Sequence, residues 1–216
     1  MARVDPRRLG VYVVTSDTGP GHREIVSAAI EGGATAVQLR APELADDELE
    51  TLATSLVELC GDSGLPLLVN DRIDIAVASG AAGAHVGQDD DPGTARGRLG
   101  PDRILGVSVM SAEEAWVAEM AGADYLGVTV WTTATKPEAV AIGLEGLRDV
   151  AGATALPVVG IGGIDAGNAR EVLLAGAAGV AVIGAVASAN DPVEVVRALR
   201  TLVDDVYEEN PKMSER

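Results

Sequence analysis

With 216 residues, 47% of them hydrophobic, and a formal net charge of −17, the chain suits one large α/β domain or two small ones. That acidity argues against a nucleic-acid binder, which needs a basic patch for phosphate, and no window holds the ~18 uncharged apolar residues of a membrane span. A single cysteine, Cys60, excludes an internal disulfide; with no signal-peptide pattern behind Arg3, Arg7 and Arg8, it points to a cytoplasmic protein. The acidity reads as a solubility adaptation. There is no Phe, so the core falls to Val, Leu, Ile and Ala.

Strands and helices alternate. Residues 11–15 read as a strand and 23–32 as a helix. Residues 35–39 form the next strand. A strong helix covers 46–60, where Leu49, Leu52, Ala53, Leu56 and Val57 recur at helical spacing. Then come a strand at 66–69, a short helix at 73–79 and strands at 84–86 and 104–109. Ser111 opens a helix with Glu114 three residues on, a capping-box pattern. A strand at 125–130, a helix at 144–150 and a strand at 157–161 follow. Asp165 caps a helix at 166–174, and 180–183 is the last strand. The last long helix opens at Asp191-Pro192, with Pro in the first helical position. It ends near residue 206, leaving 207–216 as a polar tail.

Eight strands with interleaved helices predict a single (β/α)8 barrel over residues 1–206, which closes without edges. The pairs Gly33-Ala34, Gly80-Ala81, Gly122-Ala123 and Gly176-Ala177 each stand between a helix and a strand, where Gly suits a left-handed helix end. The competing topology is an open doubly wound sheet. Against it, the first strand–helix turn, from Thr15 to His22, lacks a GxGxxG fingerprint.

Four polar clusters end four apolar strands: Gln38-Leu39-Arg40, Asn70-Asp71-Arg72, Gly87-Gln88-Asp89-Asp90 and Thr133-Ala134-Thr135-Lys136. In parallel α/β folds such strand ends gather at the ligand-binding rim. Together they suit a charged phosphate ester. Lys136 is one of only two lysines. Asp71 and Asp90 offer the carboxylate oxygens that Mg2+ takes. The plainer readings make Asp71 a helix cap and residues 89–91 a solvated acidic turn. Gly160-Ile161-Gly162-Gly163 and Ile183-Gly184 suit phosphate against bare backbone N–H groups. His22 and His85 supply neither a metal cluster nor a nucleophile triad; His85 reads as a structural or supporting residue and Cys60 as core.

From Val11 to Pro192 these motifs resemble the thiamine-phosphate synthase family. His85-Val86-Gly87-Gln88-Asp89-Asp90, Gly106-Val107-Ser108 and Gly122-Ala123-Asp124-Tyr125 complete the match. The resemblance implies a (β/α)8 barrel joining an aminopyrimidine methyl diphosphate to a thiazole phosphate, with release of pyrophosphate. It implies that Gln38, Arg40, Asn70, Ser108 and Lys136 bind the pyrimidine diphosphate, that Asp71 and Asp90 hold Mg2+, and that Thr133, Thr135, Gly163, Ile183 and Gly184 bind the thiazole phosphate. Its dissociative chemistry needs no His–carboxylate pair. The expected partners are these small molecules, with neither nucleic acid nor membrane, and a homo-oligomer is compatible.

Four departures stand out. Pro42 replaces a family lysine, Met110 a frequent histidine and Gly184 a frequent serine, and the Gly-Pro usual after the sixth strand is absent. The alternatives are a thiazole tautomerase, which needs neither diphosphate nor metal, and a non-catalytic paralogue that binds a thiazole phosphate.

Overall fold

The computed structural model describes residues 5–132 and 140–211. Eight parallel strands pair in chain order: β1 (Val11–Val14), β2 (Ala36–Leu39), β3 (Leu67–Asn70), β4 (Gly83–Val86), β5 (Ile104–Ser108), β6 (Tyr125–Thr129), β7 (Val158–Ile161) and β8 (Gly179–Val182). β8 returns to β1, pairing Val180 with Val11, so the sheet is a closed (β/α)8 barrel and not a doubly wound sheet. The helices are α1 (His22–Gly32), α2 (Asp46–Gly61), α3 (Ile73–Ala78), α4 (Pro92–Leu99), α5 (Ala112–Met120), α6 (Gly143–Ala153), α7 (Ala169–Leu174), α8 (Gly184–Ala187) and α9 (Pro192–Glu209). No described helix is long and apolar enough to cross a membrane.

The strands read as continuous apolar runs because both of their faces are buried. A large outer core lies between strands and helices; Val13, Val37, Leu56 and Leu126 belong to it. Cys60 lies there too, and burial pushes its thiol up to about 11. A smaller cluster holds Leu9, Tyr12, Val14, Ala36, Leu68, Tyr125, Val159 and Ala181. Leu9 arrives on a 3-10 turn (Pro6–Leu9) with no counterpart in the expected elements. Its carbonyl passes so near Gly179 that a Cβ there would meet it at 1.7 Å.

The four Gly-Ala junctions share one geometry. Gly33, Gly80, Gly122 and Gly176 have φ of 82°, 75°, 92° and 111°. In each pair both backbone N–H groups turn back to the preceding helix, as in Ala34 N to Ala29 O at 2.8 Å. This satisfies carbonyls the helix end leaves open.

Some boundaries differ from expectation. α4 was not anticipated: Gly93 and Gly97 weaken its pattern, and Asp91 secures it by accepting from Thr94 N at 2.7 Å. α7 starts at Ala169 with Asn168 at its N-cap, not Asp165, because Asp165 is used in a turn that accepts from Gly167 N. α9 runs past residue 206 to Glu209, held by the Tyr207 hydroxyl donating to Ala178 O. Ser111 does cap α5, accepting from Glu114 N at 3.1 Å, but the Glu114 carboxylate reaches on to Met110 N at 2.7 Å.

Arg96 of α4 ties the lower barrel together. It meets Asp124 at 2.6 Å with both side chains nearly buried, and it donates to the carbonyls of Gly122, Gly100 and Arg103. Asp124 also accepts from Leu105 N. Removing one partner of a buried pair strands the other charge. Asp124→Ala is therefore expected to cost about 3 kcal/mol, read as a Tm lower by roughly 6–12 °C. An unchanged Tm would show that water replaces the carboxylate.

Candidate active site

The strand register sets one polar group after another around a single cavity. Gln38, Arg40, Asn70 and Ser108 line it, with Tyr12, His85, Tyr125, Gly127, Thr129 and Ile183. Its volume is about 80 Å³. Gln38 sits near the end of β2, Asn70 ends β3 opposite His85, and Ser108 ends β5 opposite Gly127. Ser108 also borders a wider cleft of about 350 Å³ that includes Gln88 and Asp90.

A row of hydrogen bonds crosses the barrel beside this cavity. Gln38 Nε2 donates to the Tyr12 hydroxyl at 3.0 Å. Tyr12 and Tyr125 share a bond of 2.9 Å. The Tyr125 hydroxyl lies 2.8 Å from His85 Nδ1, and His85 Nε2 lies 3.0 Å from Ser108 Oγ. Burial pushes Tyr12 up to about 12, and Tyr125 is raised as well, first by burial and then by Tyr12, so both phenols stay protonated. The expected supporting role of His85 thus acquires two partners. Tyr12 and Tyr125 were missed. The available signal was two tyrosines in apolar strands of an aromatic-poor chain, since a buried phenol needs a hydrogen-bond partner.

Arg40 follows β2, and Thr15 fixes its backbone by accepting from Arg40 N at 3.1 Å. Thr15 is fully buried and bonded to His22 Nδ1 at 2.8 Å. His22 Nε2 lies 3.3 Å from Asp17. A His–carboxylate pair therefore exists, but it does not line the cavity. Arg72, the nearest cation in sequence to Asn70 and Asp71, is committed elsewhere. Its guanidinium binds Asp46 at 2.5 Å and the carbonyls of Pro42 and Leu44, pinning the loop after β2.

Asp71 is the single described non-glycine residue with positive φ, 60°. Bonds from its N–H to His85 O and from Ile73 N to its carbonyl hold it there. Such conformations gather at functional sites. Arg72, not Asp71, occupies the N-cap of α3. Asp71 accepts from Asn70 Nδ2 at 2.6 Å, and Asp90 accepts from Gly87 N at 3.0 Å. Among the described residues no group of three or more His, Cys, Asp or Glu side chains could hold a metal. Two carboxylates with phosphate oxygens and water still suit Mg2+, whose donors are hard oxygens.

After β7, Gly162 and Gly163 adopt φ of 98° and 63°. A Cβ on Gly162 would meet Trp131 O at 2.3 Å, so the loops after β6 and β7 touch there. Asn168 Nδ2 holds Gly163 O at 2.9 Å. Ile183 precedes α8, and Gly184 opens it with nothing near its missing Cβ. Thr133, Thr135 and Lys136 lie outside the described residues.

A closed parallel barrel with polar side chains from several strands lining a cavity at their carboxyl ends has the form of a (β/α)8-barrel enzyme. The family model described as thiamine monophosphate synthase matches residues 11–186. A thiamine-phosphate synthase of Roseiflexus sp. is 46% identical over 94% of this chain and 88% of its own. One of Moorella thermoacetica is 49% identical over 88% of this chain and 93% of its own. The solved thiamine phosphate pyrophosphorylase of Pyrococcus furiosus superposes with a TM-score of 0.86 at 40% identity, covering 93% of this chain and 98% of that one. The chain belongs to the thiamine-phosphate synthase family and is a transferase.

Proposed function

We propose that the protein condenses 4-amino-2-methyl-5-(diphosphooxymethyl)pyrimidine with a thiazole phosphate, giving thiamine phosphate and pyrophosphate by a Mg2+-assisted dissociative substitution. The observation that carries this reading is the shared cavity of Gln38, Arg40, Asn70 and Ser108, which offers amides, a hydroxyl and a guanidinium to one ligand. Arg40 and Lys136 take the diphosphate charge. Gln38 orients the pyrimidine, while Asn70 and Ser108 donate to phosphate oxygens. Thr133, Thr135, Gly163, Ile183 and Gly184 receive the thiazole phosphate, the glycines letting backbone N–H groups approach it. Asp71 and Asp90 would hold Mg2+, which when bound neutralises charge on the leaving group. The remaining task is alignment of two rings.

The carboxylates Asp71 and Asp90, and Met110 where a tautomerase carries histidine, weigh against the tautomerase reading. Purified protein with both substrates and Mg2+ is expected to yield thiamine phosphate and pyrophosphate in equal amounts. No product over a broad range of salt would overturn the proposal. The lone buried Cys60 supports a reducing, cytoplasmic location.

A further inference from the structure

The row of hydrogen bonds from Gln38 to Ser108 has a direction. Each hydroxyl in it has one proton to give, and so does a neutral imidazole. With each phenol proton spent within the row, setting one link sets the rest. Gln38 donates to Tyr12, so the Tyr12 proton goes to Tyr125 and the Tyr125 proton to His85 Nδ1. The imidazole proton then sits on Nε2 and points to Ser108 Oγ. Ser108 accepts, which leaves its own proton to donate away from the row. If the Gln38 amide were reversed, every link would reverse, and Ser108 would spend its proton on His85.

The barrel is built around this row. A Cβ on Gly106 would meet the Tyr125 hydroxyl at 2.3 Å and His85 Nδ1 at 2.4 Å, and one on Gly127 would meet His85 Cε1 at 2.9 Å. Gly106 on β5 makes room for the rings of both neighbouring strands, and Gly127 on β6 for the His85 ring reaching across from β4. The tyrosine rings meet edge-on at 6.0 Å, and His85 tilts against Tyr125 at 5.4 Å. Among the described residues no buried side-chain polar atom lacks a partner. A fully satisfied buried network is rigid, and one broken link leaves groups unpaired in a low dielectric.

We propose that this row couples the two ends of the pyrimidine diphosphate site, with Tyr12, Tyr125 and His85 as positioning residues. The proposal rests on the reading that Gln38 and Ser108 bind that substrate. An aminopyrimidine presents an N–H donor, which takes the Gln38 carbonyl and leaves its NH2 facing Tyr12. The far end of the row then offers a hydroxyl proton, which suits an anionic phosphate oxygen. A ring with a carbonyl in place of the amino group would turn the amide over and present Ser108 lone pairs to the phosphate. Discrimination between the two rings would thus be expressed at both ends.

The tautomer of His85 reads the direction without substrate. The chain has two histidines, so 15N-histidine labelling gives two rings, and His22→Gln identifies the one from His85. Above the ordinary histidine range, at about pH 8.5, the wild-type ring is expected to carry its proton on Nε2. Gln38→Glu can only accept once ionised. Followed to about pH 9.5, to cover the raised pKa of a buried carboxyl, it is expected to move the proton to Nδ1. Adding Tyr125→Phe is expected to abolish that response. A proton on Nδ1 in the wild type, or no change with Gln38→Glu, overturns the coupling whether or not the enzyme turns over. In turnover, Tyr125→Phe is expected to lower kcat roughly tenfold, the worth of about one hydrogen bond. Ser108→Ala is then expected to cost much less in that background than alone. Additive losses would show that the two residues act separately.

Discussion

Lys136→Ala is expected to lower turnover by at least ~10²–10³-fold, mostly in the chemical step, as when one donor is removed from a preorganised site. The family pattern brings two lysines and an arginine to the departing pyrophosphate, and here Pro42 stands in place of one lysine. Arg72 does not fill the gap, because Asp46 and the carbonyls of Pro42 and Leu44 hold its guanidinium. On the proposed function that leaves Arg40 and Lys136 as the cations expected at the diphosphate. Lys136→Arg is expected to rescue poorly, since a planar fork does not replace a compact charge on a flexible stem. Single-turnover rates with saturating pyrimidine diphosphate separate the chemical step from binding. Near-normal turnover in Lys136→Ala would mean that the charge comes from another group.

Asp71→Asn and Asp90→Asn are each expected to raise the Mg2+ requirement by at least the roughly 10–100-fold that follows loss of an outer-shell partner. The backbone makes Asp71→Asn a clean test. At φ 60° most side chains are strained, but Asn adopts this region at least as readily as Asp. The variant loses charge and keeps the turn, so its Tm should hold while its Mg2+ dependence shifts. At position 90 an amide oxygen can still accept from Gly87 N, the bond the carboxylate makes now. Unchanged Mg2+ dependence in both variants would reduce Asp71 to a turn residue and Asp90 to a loop brace.

The sequence determined the alternation of strands and helices, because apolar periodicity and Gly-Ala helix ends are local signals that act within one turn of chain. The left-handed Gly33, Gly80, Gly122 and Gly176 express it. It also marked Gln38, Arg40 and Asn70 as strand-end residues, since a polar group closing an apolar run is visible in one dimension; Ser108, inside the expected strand 104–109, was marked only by the family resemblance, and the structure ends β5 there. It did not reveal α4, whose two glycines and polar face carry little periodicity and whose position depends on Arg96 reaching Asp124. Nor did it distinguish an available arginine from a committed one, because the partners of Arg72 lie 26 to 30 residues away. Tertiary structure alone decided that Tyr12 and Tyr125, 113 residues apart, would share a hydrogen bond and place His85 against Ser108. That outcome depends on barrel closure and strand register, which sum weak pairings along the whole chain and which no local pattern encodes.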